Sequence, residues 1–444
     1  MKFHVLYNFF RKESMKKLLP IFLALIFCSS LFGYDVYIVN SNDETLSHYD
    51  TETEVLENHI LQLGQYANQI VIQNSMAYVV NSGVHNIQVI DLENETTLAH
   101  IQCPNGSNPY WMAIHPDGNK AYVSGLFTNT VYVIDLIGNS VINSIPVGST
   151  PEGMVMYNDK LFVMNSSYGS SAGSITVIDV NNDSIIDQIP VGNNPQFGAV
   201  DAIGRLHVVC TGNYGYGSPA VWGAIYIINT STYEVLNTLE IGGSPTKIAI
   251  HSNGTAYLAD GFGLGYMAYN ALSLTIIHSS ANLWASGGSF IQIDESGTLY
   301  LGDSMDWINN GKVYIYSNTE ELLHTLTVGV NPQDAGFYYP GVGVDTPNNN
   351  NLTVSNYPNP FSTSTTISCN VNMNLHELSR IEIYNIMGQK VKTFISFPNR
   401  GLGTRGVVWD GKDETGNTVS GGIYLYKIIT DGVETAFHKM VYLK

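Results

Sequence analysis

The chain has little charge and very little cysteine. Charged residues make up 13% of its 444 positions, about half of the ~25% usual in a globular domain. Four cysteines exclude a disulfide-dense scaffold. Basic residues are the scarcer sign, 19 Lys+Arg against 37 Asp+Glu, for a formal net charge of −18. That excludes a nucleic-acid binder, which needs a basic face for phosphates. Disorder is excluded as well, because 44% of the residues are hydrophobic and can bury a sizeable core. Glycine is plentiful at 42 residues, without the strict period of collagen.

There is one long apolar run. Met15-Lys16-Lys17 precedes ten apolar or proline residues, Leu18 to Phe27. This reads as the positive and hydrophobic regions of an export signal, and is too short for a stable membrane anchor. Residues 1–33 are therefore expected to be a signal peptide, with cleavage near Ser29–Gly33 and Met15 as an alternative start. Five basic groups and one acid lie in that segment. Residues 34–351 hold five basic and 29 acidic groups, net −24, and residues 352–444 are close to neutral. The acidity belongs to the middle of the chain.

That middle is an array of repeats. Ile145-Pro146-Val147-Gly148-Ser149-Thr150-Pro151 returns as Ile189-Pro190-Val191-Gly192-Asn193-Asn194-Pro195. Related copies follow at Leu239–Pro245 and Leu326–Pro332. The marker glycines are Gly64, Gly106, Gly148, Gly192, Gly242, Gly287 and Gly329, spaced by 42 to 50 residues. One four-stranded propeller blade has this length. A clear copy predicts strands at Trp111–Ile114, Ala121–Ser124, Thr130–Asp135 and Ser140–Ile145, bounded by turns such as His115-Pro116-Asp117-Gly118. His115 and His251 fall in such turns and are read as structural. Six repeats are complete, and the stretch after Gly329 has only a first strand. Residues Val36 to Leu63 would supply its missing three. The expected fold is an all-β, seven-bladed propeller closed by both chain ends. Tyr78-Val79-Val80-Asn81 and Tyr37-Ile38-Val39-Asn40, with Val89-Ile90-Asp91 and Val133-Ile134-Asp135, resemble the YVTN family of β-propellers across residues 34–340. The resemblance implies a fold and, since propellers host many functions, no particular activity.

Residues 341–351 read as a linker and residues 352–444 as a small antiparallel β-sandwich. Asn356-Tyr357-Pro358-Asn359-Pro360-Phe361 opens the segment. Ile383-Tyr384-Asn385-Ile386-Met387-Gly388-Gln389-Lys390-Val391 lies in its middle. Ser420-Gly421-Gly422-Ile423-Tyr424 and Lys439-Met440-Val441-Tyr442-Leu443-Lys444 close it. These runs resemble the C-terminal sorting domain of type IX secretion cargo, which is similar to the immunoglobulin-like module of hook-capping proteins. The resemblance implies type IX secretion machinery as partner, and a final place outside the cell or on the outer-membrane surface. Tyr357, Pro358, Asn359, Pro360, Gly388, Gly421, Tyr424, Lys439 and Lys444 carry the sorting motif. A plain immunoglobulin-like module without a sorting role is the bland alternative.

Catalytic patterns are scarce. Gly169-Ser170-Ser171-Ala172-Gly173 matches G-x-S-x-G but lies between two strands, where a nucleophile elbow cannot form. No His pair has metal-ligand spacing, and Cys103, Cys210 and Cys369 stand alone in strand-like runs as small core residues. Neither a metal, a cofactor nor an enzymatic activity is expected. Ligand contacts are expected on the loops between second and third strands and at blade junctions: Trp111, Tyr168, Tyr214, Trp222, Asp303, Asp306 and Trp307. Aromatic planes with a few carboxylates suit a glycan or a cationic side chain. Loop packing and solubility explain the same residues without a ligand. The leading expectation is a secreted binding module. An extracellular lactonase-like hydrolase or lyase, and a structural surface-layer repeat, are the competing classes.

Overall fold

A computed structural model describes residues 33–169, 172–216, 218–340, 353–370, 380–385, 389–395, 404–430, 433–434 and 438–443. The expected signal peptide up to residue 32, the linker 341–351, Gly388 and Lys444 lie outside the described residues. The chain divides into two compact units, residues 1–343 and 344–444.

The first unit is built from seven four-stranded antiparallel sheets among the described residues. Six of them use consecutive strands. The seventh joins Asp35–Asn40, Thr45–Asp50 and Val55–Gln62 to Pro332–Tyr338 from the far end of the unit. Val36 faces Phe337 and Ile38 faces Ala335 in that junction. The seven first strands begin at Ala67, Pro109, Pro151, Pro195, Pro245, Ile291 and Pro332, and each lies against the first strand of the next sheet. Pro332–Tyr338 touches both Ile291–Ile293 and Ala67–Gln73.

Strand composition accounts for this layering. Second and third strands are β-branched and aromatic and are buried on both faces, as in Lys120–Gly125 and Thr130–Asp135. Fourth strands such as Ser140–Pro146 alternate and face solvent. The core consists of clusters between neighbouring sheets. One sets Tyr78, Val80 and Ile101 against Met112, Val123 and Ile134. Another sets Val36 and Ile38 against Tyr300, Val313 and Val328.

The first strands differ from expectation in one respect. Five of the seven start at the proline, and in these the register shifts right after it, as between Pro109 and Met112, Pro151 and Met154, Pro195 and Phe197, and Pro245 and Ile248. A bulge turns the extra side chains out of the regular alternation. Asn108, Thr150, Asn194 and Asn331, each just before a proline, have φ of 49°, 50°, 58° and 60°. Asparagine tolerates this left-handed conformation better than most residues.

The second unit has a sheet of Thr353–Tyr357, Thr365–Asn370 and Thr404–Trp409. Its other sheet is centred on Arg380–Asn385 and Gly422–Thr430. Phe361, Ile367, Ile381, Ile383, Trp409, Tyr424 and Met440 form its core.

Candidate functional site

The bulges and the loops between second and third strands meet at one end of the seven first strands. There they enclose a cavity of about 210 Å3. The starts of first strands contribute Tyr110, Gln196, Phe197, Thr246, Lys247 and Gln333. The loops contribute Tyr214, Ser289, Asp303, Ser304, Met305 and Trp307. A second, larger cavity of about 460 Å3 adjoins it, walled by Asn42, Glu44, Tyr66 and Ile308 among others. Trp307 belongs to both.

Lys247 is the chemically distinctive side chain. It lies deep, on a bulge, yet is not closed off from solvent. Its Nζ donates to the Gln333 carbonyl and sits 5.5 Å from the Trp111 ring and 5.9 Å from the Phe197 ring. Burial pushes its pKa below that of an ordinary lysine, and the attraction of Asp334 opposes the shift. Asp334 is itself pushed up by burial. Its carboxylate accepts the Ile70 amide (3.1 Å) and Gln292 Nε2 (2.8 Å). Glu152 is buried and raised to about 7 by desolvation, against the opposing hydrogen bonds of Ser166 and Gln196.

Of the residues expected from sequence, the fold brings Tyr214, Asp303 and Trp307 into the first cavity. Gln196 Nε2 donates to the Tyr214 hydroxyl (3.2 Å), and the Tyr214 ring meets Phe262 edge-on at 5.8 Å. Asp303 is 8% exposed and accepts the Met305 amide (2.8 Å). Asn42 Nδ2 donates to the Trp307 carbonyl (2.9 Å), which fixes that loop. Trp111 is deeper, edge-on to Phe197 at 4.9 Å and beneath Lys247. Tyr168 and Trp222 are exposed and are absent from the walls of both cavities, with Trp222 standing against Gly215. Asp306 holds its own loop, accepting from the amides of Ile308 and Asn309 and from Asn309 Nδ2. Those bonds keep its carboxyl below the usual range.

Lys247, Gln196, Gln333 and Tyr110 were not expected from sequence. They share a signal: each is the first or second residue after the proline that opens a first strand. The turn histidines bond within their turns, His115 Nδ1 accepting the Asp117 amide (3.2 Å). His251 is buried, pairs through Nε2 with the Gly297 carbonyl (3.0 Å), and accepts the Asn253 amide. Cys103 and Cys210 are buried free thiols whose pKa values burial raises to about 12. Among the described residues, no three His, Cys, Asp or Glu side chains group as metal ligands. No helix there is long and apolar enough to cross a membrane.

In the second unit the two ends of the sorting motif meet. Asn359 Oδ1 accepts the Val441 amide (2.8 Å), and its Nδ2 donates to the Lys439 carbonyl (3.0 Å). The Phe361 and Val441 backbones pair, and the Phe361 ring stacks on Tyr442 at 5.0 Å. Tyr424 donates to the Ser420 carbonyl (2.7 Å). Gly421 lies beside that bond, and Pro358 and Pro360 are exposed in the bend before Phe361.

Comparison with known proteins gives each unit a class. Residues 355–404 match the secretion system C-terminal sorting domain. The fold is similar to β-propeller-like proteins. A protein from Lactobacillus plantarum superposes with a TM-score of 0.55 at 13% identity, covering 69% of this chain and 99% of that one. A functionally unknown protein from Desulfotomaculum acetoxidans gives 0.54 at 15% identity, with the same coverage. No curated protein matches the sequence. The chain is thus an all-β protein with a propeller-like first unit and a secretion sorting domain behind it.

Proposed function

We propose that this chain is an exported binding protein. Its first unit is a seven-bladed, YVTN-like propeller closed by pairing of its two chain ends. Its ligand site is the cavity where the bulges meet. The sorting domain delivers it by type IX secretion to the cell surface or the medium, after removal of the signal peptide.

One observation carries the binding reading. A small, mostly polar cavity containing Lys247 and walled by Trp307 and Tyr214 draws its lining from five of the sheets. Ligand sites favour such concave convergence points, with a few placed polar groups among aromatic surfaces. Catalysis would need an acid/base set free to act. Asp303 accepts the Met305 amide and Lys247 donates to the Gln333 carbonyl.

A screen of the full mature chain against glycan and peptide arrays tests this reading. Reproducible binding that weakens on Trp307→Ala is expected. Turnover of a substrate, lost on Asp303→Asn, would replace the binding reading with the hydrolase or lyase.

A further inference from the structure

The inference rests on the binding reading and names the ligand class. Lys247 is an ammonium with three donors. One donor goes to the Gln333 carbonyl. The Trp111 and Phe197 rings attract the charge but accept no conventional hydrogen bond. Asp334 attracts it from a distance, and among the described residues Lys247 forms no ion pair; the Asp334 oxygens accept from Ile70 and Gln292. A deep charge with spare donors is costly unless an acceptor arrives, and the cavity is the open side from which one can come.

The rest of the wall specifies what carries that acceptor. Ser289 Oγ is buried at the cavity and, among the described residues, has no hydrogen-bond partner. Gln196, Ser304 and Asp303 add amide, hydroxyl and carboxylate groups. This is a surface for hydroxyl groups rather than for an apolar body. Trp307 supplies a flat aromatic face, half exposed at 51%. At about 210 Å3 the cavity is below the ~300–1,000 Å3 of drug-sized sites and has room for about one ring. Trp307 also walls the second cavity, where Tyr66 and Ile308 are 63% and 79% exposed. A chain of rings can pass over it from one cavity into the other. With Asp303 on the same wall as a single cation, and a net −24 on residues 34–351, one carboxylate is admitted more readily than a phosphate or sulfate cluster.

We propose that the first cavity binds the terminal hexuronate ring of an acidic oligosaccharide. The carboxylate meets Lys247, the ring meets Trp307, and the following rings lie in the second cavity.

The test is calorimetric titration of the full mature chain with a panel of hexuronate-terminated trisaccharides, their carboxyl-reduced neutral counterparts and the free uronates. At least one uronate trisaccharide is expected to bind tenfold or more tightly than its neutral counterpart. Lys247→Met should erase that preference, so that acidic and neutral trisaccharides bind alike. Trp307→Ala should weaken the trisaccharide more than the free uronate. Equal affinity for acidic and neutral forms, or a preference that survives Lys247→Met, overturns the proposal and leaves the binding reading standing. Absence of saccharide binding overturns the proposal; absence of any ligand on the arrays overturns the binding reading too. Should Lys247→Met fail to fold by circular dichroism, Ser289→Ala decides. It is expected to cost uronate affinity severalfold, and an unchanged affinity counts against the site.

Discussion

Glu152 shows what one buried group does at the centre of this fold. It follows Pro151 on a bulge, is 4% exposed, and burial raises its pKa from an ordinary 4.5 to about 7. The native state therefore keeps a proton that the unfolded chain releases. Stability linked to this group is present below pH 4.5 and is lost as pH rises from about 4.5 to about 7. The shift corresponds to about 3 kcal/mol at 1.36 kcal/mol per pKa unit. Glu152→Gln is isosteric and never ionises. Urea unfolding should place it near the wild type at pH 5 and about 3 kcal/mol above it at pH 8. Equal stabilities at both pH values would mean that Glu152 is not buried as described. Neither Glu152 nor Lys247 looks unusual as a letter in the sequence. Their environments include Gln196 and Asp334, which come from other repeats, so no local pattern announces them.

At the scale of elements, the repeat is held by one recurring contact. Gly173, Gly223 and Gly311 lie near the starts of third strands, each pressed against the proline that opens the next first strand. At Gly311 a Cβ would also come within 2.8 Å of the Asp303 carbonyl. The backbone of one sheet thus rests directly on the next, which fixes how neighbouring sheets pack. Gly311→Ala should cost about 1–3 kcal/mol, the usual cost of overpacking a filled site. A lower thermal midpoint with an unchanged circular dichroism spectrum is the expected reading, and an unchanged midpoint would show that the strands can part freely. Most strands were legible because β-branched residues between Asn, Asp and Gly turns leave few other options. Expected Thr130–Asp135 and observed Thr130–Asp135 agree. The bulges were not legible, because alternation predicts an unbroken ladder. The residues they displace, Tyr110, Gln196 and Lys247, are the ones that line the cavity. Trp307 and Tyr214 could be expected because they sit on loops, where position in the repeat already points to one end of the unit.

At the scale of the molecule, charge and export separate along the chain. The acidic surplus belongs to residues 34–351, and the near-neutral tail carries the sorting domain. Within that tail, Gly422–Thr430 and His438–Tyr442 pair with each other and hold Tyr424, Tyr426, Met440 and Tyr442 of the core. Removing residues 423–444 takes out both strands and the partners of Asn359 and Phe361. The truncated protein is expected to remain in the periplasm, as read by cell fractionation. Surface display at the wild-type level would refute export through this domain.

The sequence by itself determined the class of fold, the spacing of the marker glycines, and the division of charge between an acidic array and a near-neutral sorting tail. Those properties are local or periodic: alternation, turn residues and spacing write them directly into the chain. Only the tertiary structure decided which side chains share a cavity. Residues from Tyr110 to Gln333 meet there because five separate sheets contribute to the same cavity, and because bulges turn side chains off the regular ladder. Convergence of that kind depends on packing between distant segments, which a pattern within any one repeat does not encode.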